Sequence, residues 1–465
     1  MSITELANQI KTGKTTALAE VKKALEKADS CQKYNIFVNL ETNRALARAE
    51  EIDAKIQSGE DLGPLAGVPY ALKDNFLDFG APSTASSHML ESFYAPLQAT
   101  AVEKLEQAGA ICIGKTNLDA FAHGGSTENS YFGPTLNSKD TGRVAGGSSG
   151  GSAVAVALGI VPFSLGSDTG GSIRQPAAFN GVVGVRPTYG TVSRFGVVAM
   201  VSSTDTIGCF AKTASDAELV MSIISGQDPN DSTTLPDFFT PETDTNKNLR
   251  IGLVKELLDG ADPEVQSAVK DYAKKLESLG HEVTEVSLPL MKYALPIYYI
   301  IVFAEVASNL ARYDSVRYGH RSKKSNTLQE LYFNSRSEGF MPENKRRILL
   351  GNFVLSSGYY DAYYLKAAQA RTLLIQDYEN AFKNLDFLIS PTTPSPAFKI
   401  GENTKDPLKM YLEDAMTVPP SLAGLPAVSA PAGHTKDGLD LAVQIIGPQQ
   451  SDAKILNLIK EVENA

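Results

Sequence analysis

Candidates for covalent chemistry in this sequence are Ser172, Ser148 or Ser149 of a second glycine-rich motif, and Lys73 as a base. Ser172 lies in Gly166-Ser-Asp-Thr-Gly-Gly-Ser-Ile-Arg-Gln-Pro-Ala177. Two glycines before a serine let the backbone N–H groups of Thr169, Gly170 and Gly171 converge beside its hydroxyl. A chain turn makes an oxyanion hole in this way, each donor contributing about 3 kcal/mol in the transition state. A nucleophilic serine needs a base, yet no histidine occurs between Gly142 and Gly196. Lys73, in GVPYALKDN, sits in an apolar run with Val68, Ala71 and Leu72. Burial would lower its pKa and leave it a neutral base near neutrality. On its own, such a lysine reads as a surface residue at a strand end.

Two other motifs compete. GGSSGGS at 146–152 satisfies G-x-S-x-G with Ser148 or Ser149 at the centre, and His320 and His434 lie downstream, as in an α/β-hydrolase elbow. The doubled glycines are more than an elbow requires. The run also continues into the apolar AVAVALGIVPF, so it is packed inside the fold rather than serving as a linker. Gly109-Ala-Ile-Cys-Ile-Gly114-Lys115-Thr116 is a formal phosphate-loop match. Its intervening residues want to be a strand, however, and no helix pattern follows.

The elements that must hold these groups have an α/β texture. Residues 1–60 are helical by pattern, beginning with a Ser2-x-x-Glu5 capping box. A helix, a turn at Gly109 and a buried strand over Ala110–Ile113 follow. The segment Gly142–Gly196 holds 13 of the 37 glycines, so its backbone must approach something closely or turn repeatedly. A polar loop over 226–248 is the best internal boundary. Beyond it, LRIGLV, a helix from Asp262–Pro263 stopped by Gly280, and HEVTEVSL make a β-α-β unit. Helical patterns occupy roughly 297–385, and SPTTPSPAF and AGLPAVSAP read as short strands. The expected fold is one large α/β domain over 1–465, a central mixed sheet with helices on both faces. Its parts are a helical segment 1–60, a glycine-rich core 61–225, and the remainder 249–465.

Composition narrows the function further. The charge balance, 43 Lys plus Arg against 53 Asp plus Glu, gives −10, which disfavours bulk attraction to nucleic acid or anionic membranes. Cys31, Cys112 and Cys209 lie far apart with no zinc-site spacing, so a metal centre or disulfide framework is not expected, and a reducing cytoplasm is. The N-terminus lacks the apolar stretch of a signal peptide. The apolar run around Tyr293–Ala304 reads as too short for a bilayer and contains Pro296.

Taken in order, GVPYALKDN, GAICIGKTNLDAF, GGSSGGSAVAVA, GSDTGGSIRQPAAFNGVVGVRPTYG and TVSRFGVVA resemble the amidase signature family. The resemblance runs from about residue 60 to 447 and is densest over 62–210. It implies a triad of Lys73 as base, Ser148 in a cis peptide as relay and Ser172 as nucleophile. It also absorbs the phosphate-loop match, because GKTN belongs to the family's own pattern. Within the family, RYGHR at 317–321, KRRI at 345–348, LSSGYYDAYYLKAAQARTLL at 355–374, DPNDST and TVPPSLAGLP resemble the glutaminase subunits of tRNA-dependent amidotransferases.

That likeness implies hydrolysis of L-glutamine, with Tyr298, Arg347, Asp414 and Ser126 around the substrate. It further implies a cytoplasmic heterotrimer with B and C subunits that acts as a carbon–nitrogen ligase in translation. No cofactor would bind this chain; ATP and Mg²⁺ would be used by the B subunit, which would also make most tRNA contacts. No membrane is implied, and ammonia would travel by an internal polar channel. Alternatives are a stand-alone amidase acting on another amide, or a catalytically inactive binding or scaffold subunit. The sequence departs from the family pattern at Ala120 (an acid is usual), His123 (methionine), Pro420, Ser421 (asparagine) and Ala442 (glycine). Of these, His123 reads as a pocket-wall substitution.

Overall fold

The computed structural model describes residues 1–241 and 248–465. Eleven strands form one mixed sheet: β1 (Phe37–Leu40), β2 (Pro69–Lys73), β3 (Ile111–Thr116), β4 (Phe163–Asp168), β5 (Val183–Arg186), β6 (Thr206–Ala211), β7 (Arg250–Val254), β8 (Glu282–Val286), β9 (Phe387–Pro391), β10 (Ala427–His434) and β11 (Asp440–Ile446). Their spatial order is β1-β3-β2-β4-β6-β5-β10-β11-β9-β7-β8. The expected α/β fold with a central mixed sheet is therefore present.

β2 is parallel to β3 on one side and to β4 on the other, so these three strands deliver their C-terminal ends to the same edge. β2 and β4 are buried at every position, as strands covered on both faces must be. The crevice beyond the carboxyl ends of parallel strands is where α/β sheets build sites. Lys73 ends β2, Thr116 ends β3 and Asp168 ends β4.

Several local expectations are met. Ser2 Oγ accepts the Glu5 N–H at 3.2 Å and Glu5 Oε2 accepts the Ser2 N–H at 2.8 Å, closing the predicted capping box. The β-α-β unit appears as β7, the helix Pro263–Ser278 and β8, with Val265, Ala268, Val269, Tyr272, Ala273 and Leu276 on its buried face.

Other expectations change. The segment 1–60 is not wholly helical: β1 lies inside it and pairs antiparallel with β3 at the sheet edge. The strand expected over Ala110–Ile113 runs on to Thr116, so Lys115 is a strand residue rather than part of a phosphate loop. Of SPTTPSPAF only the first two residues, Ser390 and Pro391, are in a strand. The helical stretch 297–385 is broken between Leu310 and Leu328.

The loop 226–248, whose residues 242–247 lie outside those described, does not separate two sheets. β10 pairs with β5 from the first half and β11 with β9 from the second, making the sheet continuous across that boundary. The apolar run around Tyr293 belongs to a stretch, Pro289–Leu310, that is long and apolar enough to cross a membrane, contrary to the expected length. Its apolarity has an internal use here, because the helix Ala294–Leu310 packs against Pro342–Val354 and Lys366–Phe382 with most of its residues buried.

Candidate active site

Lys73 is fully buried at the end of β2. Its Nζ donates to Ser148 Oγ at 2.8 Å, Ser167 Oγ at 2.9 Å and Ser167 O at 3.3 Å. Burial pushes its pKa down to about 7, against the pull of Asp119, Asp168 and Asp205. Lys115, on the adjacent strand, is equally buried and has a different task. Its Nζ donates to Phe76 O at 2.6 Å, Ser83 Oγ at 3.1 Å and Pro82 O at 3.2 Å, and lies 3.3 Å from Asp74 Oδ1. That lysine ties loops together; Lys73 alone reaches a hydroxyl in the glycine-rich loop.

The Gly147–Ser148 peptide is cis. Ser149 precedes the helix Gly150–Ala157, and its N–H donates to Ser172 O at 3.2 Å, which clips the two serine segments together. The Ser148 and Ser172 hydroxyls are not hydrogen-bonded to one another among the described residues. Ser172 is 8% exposed.

The turn before Ser172 is pinned from both sides. A Cβ on Gly170 would stand 2.3 Å from Tyr298 Oη, and one on Gly171 (φ +142°) 2.2 Å from Thr417 Oγ1, so neither position accepts a side chain. Thr417 Oγ1 donates to Gly170 O at 2.6 Å. One member of the expected oxyanion hole is already engaged: the Gly171 N–H donates to Asp168 Oδ1 at 2.9 Å. The N–H groups of Thr169, Gly170 and Ser172 have no acceptor among the described residues.

Asp168 organises this turn. It accepts the Ile173 N–H at 3.2 Å, Arg174 Nε at 3.0 Å, Arg174 Nη2 at 2.9 Å and Arg186 Nη1 at 3.0 Å. Burial alone would raise its pKa, but the two guanidinium groups hold it far below the usual carboxylate range. Arg174 continues outward, from Nη1 to Thr417 O at 2.9 Å and from Nη2 to Ser421 Oγ at 2.7 Å. The unusual Ser421 thus still serves this arginine. Arg174→Met is expected to lower stability by about 3–5 kcal/mol, because it removes one of the two guanidinium partners of a buried carboxylate. A urea midpoint shift measures this, and an unchanged midpoint would show the cluster to be energetically idle.

Asp119 holds the facing loop. It accepts the N–H groups of Thr127 at 2.9 Å, Asn129 at 3.0 Å and Ser126 at 3.3 Å, while burial raises its pKa to about 6. Beside this loop lies a cavity of 290 Å³ lined by residues that include His123, Gly125, Ser126, Arg347 and Tyr411.

Arg347 is buried, its Nε donating to Glu343 Oε1 at 2.9 Å, and its guanidinium lies over the rings of Tyr299 at 5.7 Å and Tyr411 at 5.6 Å. Its Nη nitrogens donate to no acceptor among the described residues. Tyr299 Oη donates to Asp414 Oδ2 at 2.6 Å, and burial raises the pKa of Asp414 to about 6. A Cβ on Gly125 would lie 3.6 Å from Asp414 Oδ1 and 3.5 Å from Gln175 Nε2. Gln175 Oε1 accepts the Gly147 N–H at 2.9 Å, joining the cavity to the cis peptide.

Direct contacts join Lys73 to Ser148 and Tyr298 to the Gly170 turn before Ser172, whereas Arg347 and Ser126 line the 290 Å³ cavity, Asp414 lies behind its Gly125, and Thr169 lines a separate cavity. The two downstream histidines of the elbow motif are engaged elsewhere, His320 with Glu338 at 2.8 Å and His434 with Asp440 at 2.9 Å. Sequence reasoning missed Asp119, Ser167, Asp168, Arg174, Gln175 and Thr417. Asp168 and Arg174 had a usable signal: charges inside a buried glycine-rich stretch must be paired.

The Amidase family model matches residues 19–456. This chain belongs to the amidase family. A relative within it, from the glutamyl-tRNA(Gln) amidotransferase of Koribacter versatilis (strain Ellin345), is that enzyme's A subunit. It is 50% identical over 99% of this chain and 97% of its own length. The crystal structure of the corresponding A subunit from Thermotoga maritima superposes with a TM-score of 0.79 at 36% identity, over 96% of this chain and 91% of that one. A bacterial aryl acylamidase of the amidase signature family superposes with a TM-score of 0.87 at 24% identity, over 100% of this chain and 96% of that one. The amidase fold is thus shared by proteins with different names, and substrate must be read from the cavity.

Proposed function

We propose that this chain is the glutamine-hydrolysing A subunit of a tRNA-dependent amidotransferase. The observation that carries the proposal is the cavity beside the lysine–serine pair. Among the charged groups of its lining is Arg347, whose guanidinium has free Nη groups, and behind Gly125 lies the Asp414 carboxylate with a free oxygen. A free α-amino acid presents the complementary carboxylate and ammonium, and a fork-shaped cation suits the former. Ser126 lines the same cavity, and Tyr298 packs on Gly170 in the turn before Ser172. The name carried by a relative 50% identical over nearly the whole chain favours the same substrate.

In the proposed reaction, neutral Lys73 accepts a proton from Ser148 as Ser148 accepts one from Ser172. Ser172 Oγ attacks the carboxamide carbon of glutamine. The oxyanion is held by the N–H groups of Thr169 and Gly170, with that of Ser172 taking the place expected of Gly171. As the C–N bond breaks, the proton returns from Lys73 through Ser148 to the leaving nitrogen, giving ammonia and a glutamyl ester. Water, deprotonated by the same relay, splits the ester to glutamate. The Ser148–Ser172 contact closes with substrate in place, as catalytic hydrogen bonds of this kind tighten on binding.

A second cavity of 260 Å³, lined by Asn75, Ser167, Thr169, Asp205 and Asn309 among others, offers ammonia a polar way out beside Lys73. In the full enzyme, a cytoplasmic heterotrimer, the B subunit would use ATP, Mg²⁺ and this ammonia to convert Glu-tRNA(Gln) to Gln-tRNA(Gln). No cofactor is assigned to this chain.

The full-length chain, expressed with candidate B and C subunits, is expected to copurify with a tRNA-binding partner and to release glutamate from L-glutamine. Partner-independent turnover of aryl or fatty amides with no response to glutamine would overturn the proposal.

A further inference from the structure

His123 stands where the family pattern leads one to expect methionine, and it is fully buried in the wall of the 290 Å³ cavity. Its neighbours fix which ring nitrogen carries the proton. Asn344, on the helix Pro342–Val354, accepts the Met341 N–H through Oδ1 at 3.2 Å, and its Nδ2 donates to Ala120 O at 2.8 Å. Those two bonds fix the orientation of the amide. The same Nδ2 lies 2.7 Å from His123 Nδ1, so Nδ1 is the acceptor. Burial and the nearby Arg347 keep the ring neutral, which leaves the single proton on Nε2.

That Nε2 is buried and has no hydrogen-bond partner among the described residues. A buried donor without an acceptor costs stability and is unusual enough to need a reason. Asn344 and Arg347 are three residues apart on one helix, which places the histidine's anchor and the Arg347 guanidinium on the same face.

We propose that His123 is a specificity-determining residue, its Nε2–H donating to the carboxylate of the bound amino acid beside the Arg347 guanidinium. The proposal rests on the glutamine assignment above. A neutral N–H next to a cation suits an anion: it adds a directional donor without a second positive charge to desolvate. Ala120 supplies its carbonyl to Asn344 and so helps to hold the histidine's anchor.

The test uses the full-length chain in the complex with which it purifies. Steady-state kinetics compare L-glutamine with its α-N-methylamide, which keeps the ammonium and the reacting carboxamide but lacks the carboxylate. For L-glutamine, His123→Met is expected to raise KM about 10- to 100-fold, the loss of one charge-assisted hydrogen bond, with kcat within a few-fold. For the α-amide, kcat/KM is expected to be the same in variant and wild type. His123→Gln, which retains a donor, is expected to recover most of the loss.

An unchanged KM for L-glutamine in His123→Met overturns the proposal while leaving the glutamine assignment intact. Equal losses on both substrates make His123 a packing residue and also overturn it. A wild-type complex that releases no glutamate from L-glutamine removes the glutamine assignment itself, and this proposal with it.

Discussion

Replacing Ser172 by alanine is expected to abolish glutamate release, with kcat falling on the order of 10⁶-fold, to the residual rate that binding and oxyanion donors sustain without a nucleophile. The drop follows from geometry. Ser172 is the only proposed triad member whose residue retains measurable exposure, and its turn is fixed by Tyr298, Thr417 and the Asp168 cluster. Alanine removes one oxygen and keeps the backbone, so the Ser149 N–H bond to Ser172 O survives. Thermal stability is expected to move by no more than about 1 kcal/mol. Burst kinetics with rapid quench would show wild type forming a covalent glutamyl ester and the variant none. Full activity in Ser172→Ala would make another group the nucleophile, and Ser148 would be the next to test.

The second large effect belongs to Lys73. Lys73→Met is expected to lower kcat by roughly 10³- to 10⁴-fold or more, since a relay without its terminal base cannot accept the serine proton. Lys73→Arg is expected to be as inactive, because a guanidinium keeps its proton at any working pH. The pH profile gives an independent readout. The proposed base is the neutral amine, and burial lowers its pKa to about 7. Below that value the lysine is protonated, so kcat/KM is expected to rise about tenfold per pH unit and to flatten above it. A profile flat from about pH 5.5 to 8.5 would remove Lys73 as the base.

Stability has its own sign. A lysine whose folded pKa lies below its unfolded value weakens the fold, fully so below about 7, and the penalty fades as pH climbs to the unfolded value. Lys73→Met is therefore expected to fold at least as stably as wild type, the usual relation between a functional burial and stability.

Legibility followed distance along the chain. The capping box at Ser2, the helix Pro263–Ser278 with its buried face and the strand leading to Lys115 are written in spacings of three or four residues or in short apolar runs, and each was readable. The misjudged elements lie where tertiary contacts override local texture. β1 sits in a helical neighbourhood because an edge partner, β3, was available to it. The apolar helix Ala294–Leu310 is apolar nearly all round because two helices cover it.

For the site the division is sharper. Residue types and their order carried the chemical class through the motifs shared with the amidase signature family: a serine after paired glycines, no histidine near it, and a lysine in an apolar run. Only the tertiary structure shows how two buried lysines differ: Lys115 ties Phe76 O, Pro82 O, Ser83 Oγ and Asp74 together, while Lys73, the proposed base, reaches Ser148 Oγ in the glycine-rich loop. It also engaged the Gly171 N–H with Asp168, gave Asp168 two arginines, and left His123 Nε2 without a partner among the described residues. The physical reason is that composition and periodicity encode whether a side chain is buried, whereas its charge state and donors depend on partners such as Asn344 and Ser421, more than 200 positions away in the chain.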